Sequence, residues 1–136
     1  MIKDEQEAVA RFAEGYSRPS SDVARELERL VVGADFGANG YTTVAQADLL
    51  AERLDLRHGR RLLDVGSGRG WPGLYLAKRT GCSVVVTDLP EEAMRSASHR
   101  AGVEGLSERS DMAVASARRL PFQPATFDAI VHTDVL

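Results

Sequence analysis

The sequence predicts a three-layer α/β fold built on a parallel sheet, and three observations predict it. From residue 59 onward, short apolar runs alternate with segments of helical period. A turn carrying three alternating glycines, Gly66, Gly68 and Gly70, joins the first run to a helix. The second run ends in an aspartate, Asp88. Strand–helix–strand units at this spacing imply parallel strands joined by right-handed crossovers.

The bulk numbers fit one such unit. A chain of 136 residues has the length for a single domain with a hydrophobic core. With 43% hydrophobic and 27% charged residues it reads as an ordinary globular chain. The net charge is −3 and both signs are mixed along the chain, which argues against nucleic acid or an anionic membrane as the main partner. The basic clusters Arg57–Arg61 and Arg118–Arg119 sit beside turns and read as solvated surface. One cysteine, Cys82, allows no intrachain disulfide and suits a cytoplasmic setting, packed as a small hydrophobe. The acidic N-terminus lacks an unbroken apolar stretch and reads neither as a signal peptide nor as a membrane span.

Three helices are expected first, in an N-terminal helical segment over 1–58. Ala8, Val9, Phe12 and Ala13 give 4–14 a helical period that ends at Gly15. Ser21 caps a second helix to about Val32, with Val23, Leu27, Leu30 and Val31 on one face. A glycine-rich loop over 33–40 follows. Thr43 and Gln46 have capping-box spacing for a third helix that buries Val44, Ala47, Leu50, Ala51 and Leu54 and ends near Gly59.

The sheet unit is expected over 59–136. Leu62–Val65 is the first strand, and Trp71-Pro72 opens a helix that stops at Gly81. Ser83–Thr87 is a β-branched strand of the kind buried on both faces. A helix from Pro90 to Gly102 turns Ala93, Met94, Ala97 and Ala101 inward. Residues 111–115 and Phe127–Val131 complete the strands.

The glycine turn brings bare backbone close to a ligand, and the helix start behind it favours an anionic group. Asp88, at the tip of the second strand, suits the paired hydroxyls of a ribose. Together they predict a nucleoside site, in one of two registers. Gly68-Arg-Gly-Trp-Pro-Gly73 satisfies the nicotinamide-dinucleotide pattern, with Asp88 twenty residues past Gly68. The other register ends the strand at Val65 and puts the polar Asp64 in its last turn. An acid there would repel a pyrophosphate and suits a ligand bearing an ammonium and a sulfonium.

The stretch Asp64-Val-Gly-Ser-Gly-Arg-Gly70 resembles the first motif of the class I S-adenosylmethionine-dependent methyltransferases. Val84–Leu89 resembles their second-strand motif, and 113–122 with 127–131 their third strand, Leu-Pro-Phe turn and fourth strand. The resemblance implies a Rossmann-like sheet ordered 3-2-1-4 over the strands present, with the C-terminal strands missing. It implies S-adenosylmethionine as cofactor, S-adenosylhomocysteine as product and a small-molecule acceptor. Gly66, Ser67, Gly68 and Gly70 would line the methionine end, and Asp64 would fix the turn or meet the amine. Asp88 would hold the ribose, and Leu89 would lie on the adenine. Ser116 stands where many members carry an acid that meets the adenine amino group, and Ala117 would offer its N–H to the ring. The backbone near His132 would meet the cofactor amine. The loop Gly37–Thr42 resembles the cofactor-covering stretch of small-molecule methyltransferases, with Tyr41 and Thr42 over the methionine end; the other reading is a plain linker.

Plainer roles stand beside these. Asp64 also suits a turn cap, Asp88 a helix cap, and Asp128, early in its strand, a structural role. His58 and His99 read as surface residues, Trp71 as packing, and no spacing suggests a metal site. No catalytic residue is identified. Alternative readings are an NAD(P)-dependent oxidoreductase in the Gly68–Gly73 register, or a non-catalytic relative kept for ligand binding or assembly. A chain truncated after its fourth strand is expected to self-associate through that open edge.

Overall fold

The fold comes from a computed structural model, which describes residues 1–38 and 40–133. Asn39, within the glycine-rich loop, and residues 134–136 lie outside the described residues. The elements in chain order are α1 (Lys3–Ser17), α2 (Asp22–Val31), α3 (Val44–Arg53), β1 (Arg61–Val65), α4 (Gly73–Thr80), β2 (Ser83–Asp88), α5 (Glu91–Val103), β3 (Ser110–Val114) and β4 (Ala129–Val131). The strands form one parallel sheet, as the alternation of strands and helices predicts, in the order β3-β2-β1-β4 that the resemblance implies.

The core lies between the sheet and α3, α4 and α5. Leu62, Val84, Val86, Ala129 and Val131 of the sheet join Leu74, Leu76 and Ala77 of α4 and Ala93, Met94, Ala97 and Ala101 of α5 in one buried cluster. Leu62, Leu74, Leu76, Val86, Ala93 and Ala97 are wholly removed from water. At about 25 cal/mol per Å² of apolar surface, such burial is the main force holding the unit together. Val32, Phe36 and Ala47 belong to the same cluster, so the N-terminal helices share this core.

Several boundaries depart from the sequence reading for identifiable reasons. α1 runs through Gly15 to Ser17, because a mid-helix glycine costs only about 1 kcal/mol and does not force a stop. α3 keeps its capping box, with Gln46 N donating to Thr43 Oγ1 at 3.2 Å and Thr43 N to Gln46 Oε1 at 2.9 Å. It ends at Arg53, well before Gly59, since Asp55 adopts a left-handed φ of 51°. β4 is shorter than expected. Asp128 Oδ2 accepts from Arg61 N at 2.8 Å, so a side chain takes the N–H that a ladder carbonyl would otherwise receive. Asp128 therefore pins the start of β4 to β1, away from the strand tips. Among the described residues no strand pairs with the outer edge of β4, where Ile130 is 56% exposed.

α2 is the largest surprise. Ser21 caps it as expected, accepting from Ala24 N at 3.1 Å. Its apolar stripe, however, faces water: Val23, Leu27, Leu30 and Val31 are each more than half exposed. The residue turned inward is Glu28, whose carboxylate accepts from the backbone N–H groups of Phe36, Gly37 and Ala38 at 2.6, 3.0 and 3.2 Å. Three donors in a tight loop need an acceptor, and a carboxylate serves all three at once.

Candidate functional site

The carboxyl ends of parallel strands are where folds of this kind present ligands, and here the glycine turn occupies that edge. Gly66 N and Ser67 N both donate to Thr87 O, at 2.8 and 2.9 Å, which folds the turn back over the end of β2. Gly66, Gly68 and Gly70 take φ of 71°, 56° and 97°, a region that favours glycine. Space matters as well as angle: a Cβ on Gly70 would lie 2.4 Å from Leu74 Cδ1, and one on Gly68 would lie 2.9 Å from Tyr16 Oη.

Asp88 closes the turn onto the second strand. Its Oδ2 accepts from Gly68 N at 2.8 Å and its Oδ1 from Leu89 N at 2.8 Å. The carboxylate is half-buried, and two of its roughly four acceptor positions remain for a ligand. Asp88 therefore organises the loop and keeps acceptor capacity at the strand tip.

Asp64 is fully buried beneath the turn, with Oδ2 accepting from Gly73 N, the first residue of α4, at 2.7 Å. Its Oδ1 is buried with no hydrogen-bond partner. Burial pushes the carboxyl well above the usual carboxylate range; the nearby charge of Asp88 adds to the rise and the Gly73 N–H opposes it. This geometry decides between the two glycine registers. The dinucleotide register needs the start of α4 for a pyrophosphate, and the Asp64 carboxyl already stands there.

Between these groups is a small cleft of about 60 Å³ lined by Tyr16, Gly40, Gly66, Ser67, Gly68, Trp71 and Thr133. Ser67 Oγ is buried in its wall without a hydrogen-bond partner, a free polar atom at the place the motif assigns to the methionine end. Of the loop over 37–42, Gly40 lines the cleft. Tyr41 is 80% exposed, and Thr42 reaches the site through its carbonyl, which accepts from the Trp71 indole N–H at 2.9 Å. Trp71 is 4% exposed and packs between Phe36 and Tyr75, as its packing role predicts. Leu89 is half-buried beyond Asp88, Ala117 is exposed past β3, and His132 is exposed just past β4. His58 and His99 are exposed as well. A larger cleft of about 540 Å³ lies between α3 and the end of α4 and touches none of the glycine-turn residues.

The sequence reading missed α1 as part of the site. Its inward face carries Glu5, Ala8, Val9, Ala13 and Tyr16, each half-buried, so the face is polar at both ends and small in the middle. Tyr16 rests on Gly68, with the Arg69 guanidinium carbon 5.5 Å from the centre of its ring. Arg69 donates to Gly15 O, Arg18 O and Ser20 Oγ at 2.9, 3.0 and 3.3 Å. At the other end Glu5 accepts from the Ser116 hydroxyl. The periodic spacing of Glu5, Val9, Ala13 and Tyr16 was the available signal, but polar residues at its ends read as solvent-facing.

Residues 62–136 match the sequence profile described as a methyltransferase domain, more than half of the chain. The chain belongs to the methyltransferase domain family. It is 38% identical over 81 residues to methyltransferase GfsG of Streptomyces halstedii, a match spanning 60% of this chain and 29% of that one. It is 34% identical over 88 residues to 27-O-demethylrifamycin SV methyltransferase of Amycolatopsis mediterranei, covering 65% of this chain and 32% of the relative. The match thus spans about a third of the length of these curated relatives. Among solved structures, the cyclase SpnF superposes with a TM-score of 0.61 at 33% identity, over 74% of this chain and 37% of that one. A methyltransferase from Geobacter sulfurreducens in complex with S-adenosylhomocysteine gives a TM-score of 0.54 at 26% identity, over 60% and 32%. Solved structures that superpose on this chain therefore carry more than one named activity. Among the described residues no cluster of His, Cys, Asp or Glu could hold a metal, and no helix is long and apolar enough to cross a membrane.

Proposed function

We propose that this chain is the cofactor-binding portion of an S-adenosylmethionine-dependent methyltransferase acting on a small molecule. The observation that carries the reading is the junction of Gly68 N with Asp88 Oδ2 at the tips of β1 and β2. It sets a half-free carboxylate beside bare backbone, with the orphaned Ser67 hydroxyl and Asp64 carboxyl on the methionine side. A ligand with ribose hydroxyls at one end and an ammonium at the other fits this donor set; a pyrophosphate does not, because Asp64 stands at the start of α4. The resemblance of the motifs and the complex of the Geobacter relative with S-adenosylhomocysteine support the same cofactor.

When bound, S-adenosylmethionine supplies an electrophilic methyl group, which a nucleophile takes by in-line displacement as the thioether leaves. The residues of this chain bind and orient. Asp88 accepts from the ribose hydroxyls, and Leu89 lies against the adenine, with the Ala117 N–H at the ring. Gly66, Ser67, Gly68 and Gly70 hold the methionine end, and Asp64 and the backbone near His132 face the amine. Gly40, followed by Tyr41 and Thr42, covers that end. Such positioning supplies a large share of the rate in a displacement that needs no covalent protein intermediate. A cytoplasmic setting, supported by the lone buried Cys82, and association through the free edge of β4 complete the reading.

Titration calorimetry with S-adenosylmethionine, S-adenosylhomocysteine and NAD tests it. Binding of the first two and not of NAD is expected, and binding of NAD alone would overturn the reading. The likeness to SpnF, a cyclase, favours a second reading, a relative that keeps the domain for other chemistry. Cofactor binding with no methyl transfer to a panel of small-molecule acceptors would favour it.

A further inference from the structure

Ser116, in the turn after β3, is uncharged at the position where the motif resemblance implies an acid beside the adenine amino group, yet a carboxylate stands against it. Ser116 Oγ donates its only proton to Glu5 Oε1, across 111 residues of sequence, and also accepts from Arg118 N at 3.1 Å. Glu5 Oε2 accepts from Ile2 N at 3.1 Å. A carboxylate offers about four acceptor positions, so roughly two remain on Glu5. The Ser116 hydroxyl, then the Ile2 N–H, hold the Glu5 carboxyl below the ordinary glutamate range, so it is ionised at neutral pH.

α1 links this carboxylate to the glycine turn. Tyr16, eleven residues on, rests against Gly68 at the tip of β1, while Glu5 rests against Ser116 beyond the tip of β3. Eleven residues of helix span about 16 Å, so α1, which packs on α5, reaches from the glycine turn after β1 to the turn after β3.

We propose that Glu5 is the residue that selects adenine in this chain, with Ser116 positioning it. The helix thus supplies the carboxylate that the sheet lacks, aimed at a six-amino purine. This inference rests on the cofactor reading above. An aspartate at position 116 would stand against Glu5 and repel it, so the single Ser116→Asp exchange weakens binding.

The test compares two ligands that differ at one position, S-adenosylhomocysteine and S-inosylhomocysteine, whose purine carries a six-oxo group. The wild-type chain should prefer the adenosyl ligand by at least about 10-fold, the range for a hydrogen bond to a charged group. Glu5→Gln should bring the two affinities within about threefold, because an amide can turn its N–H toward the oxo group. The double change Glu5→Gln with Ser116→Asp should restore the preference from the sheet side. If Glu5 served only to anchor α1, Glu5→Gln would weaken both ligands together and leave their ratio unchanged, which would overturn the assignment. A wild-type chain without preference would overturn it too. Binding of neither ligand by the wild-type chain would instead bring down the cofactor reading on which this one rests, so the two failures are distinct.

Discussion

Asp88 and Glu28 each gather backbone N–H groups around a glycine-bearing loop, one at the strand tips and the other on the helical flank. Asp88 takes one N–H from the glycine turn and one from its own neighbour, and remains half-open to water. Glu28 takes three N–H groups from a loop eight to ten residues away and is 9% exposed. The chemistry is the same and the outcome differs. In the proposed reading, a carboxylate left with acceptor capacity at the strand tips serves recognition, while one taken up by three backbone donors in the interior serves the fold.

The contrast breaks most easily at Glu28. Glu28→Ala strands three N–H groups, two of them fully buried, and should cost about 3 kcal/mol of stability. Denaturant unfolding measures the loss, and affinity for S-adenosylhomocysteine under conditions where the variant is folded should stay near the wild-type value. A large fall in affinity there would erase the distinction between the two sites. Asp88→Ala should do the reverse. Binding should weaken by about 2 kcal/mol as charged hydrogen bonds to the ribose are lost, whereas stability should change by less than about 1 kcal/mol because water reaches the freed N–H groups. Unchanged affinity would reduce Asp88 to a cap.

The smallest effect sharpens the comparison through a third carboxyl, Asp64. Its folded pKa lies above its unfolded one because burial disfavours the charged form. The stability it contributes is therefore fully present below the ordinary carboxylate range and is lost as pH rises through the raised value. Asp64→Asn removes that titration and keeps an acceptor for Gly73 N. The variant should gain thermal stability relative to the wild type as pH rises from 5 to 8, and melting temperatures that stay parallel over this range would show that Asp64 is as ionised in the fold as in the unfolded chain.

Legibility in the sequence followed the range of the contacts. Leu62–Val65, the glycine turn and Asp88 could be read because each is a local pattern: an apolar run, a positive-φ requirement, a polar residue at a strand end. The parallel sheet followed from the same alternation, and the order of its four strands from the resemblance of the motifs. α2 was legible as a helix and misleading as a surface, since periodicity locates a stripe and does not say which side of the helix the core will take. What turned it was Glu28, whose partners exist only once the loop over 36–38 is folded. The start of β4 was hidden for a similar reason, because Asp128 spends its side chain on Arg61. The pairing of Glu5 with Ser116 left no local trace at all.

Arg69 fills the position that a glycine-turn motif writes as a free letter, and in this chain that letter is not free. Its guanidinium is shared among Gly15, Arg18 and Ser20 and lies over the Tyr16 ring, and a Cβ on Gly37 would lie 2.8 Å from its Cδ. Lysine, a point charge on a flexible stem, cannot reproduce such a fork. The Gly66–Gly70 turn is therefore not a portable cassette: transplanted into another scaffold, it brings along an unfilled guanidinium unless residues 15–20 and 37 travel with it.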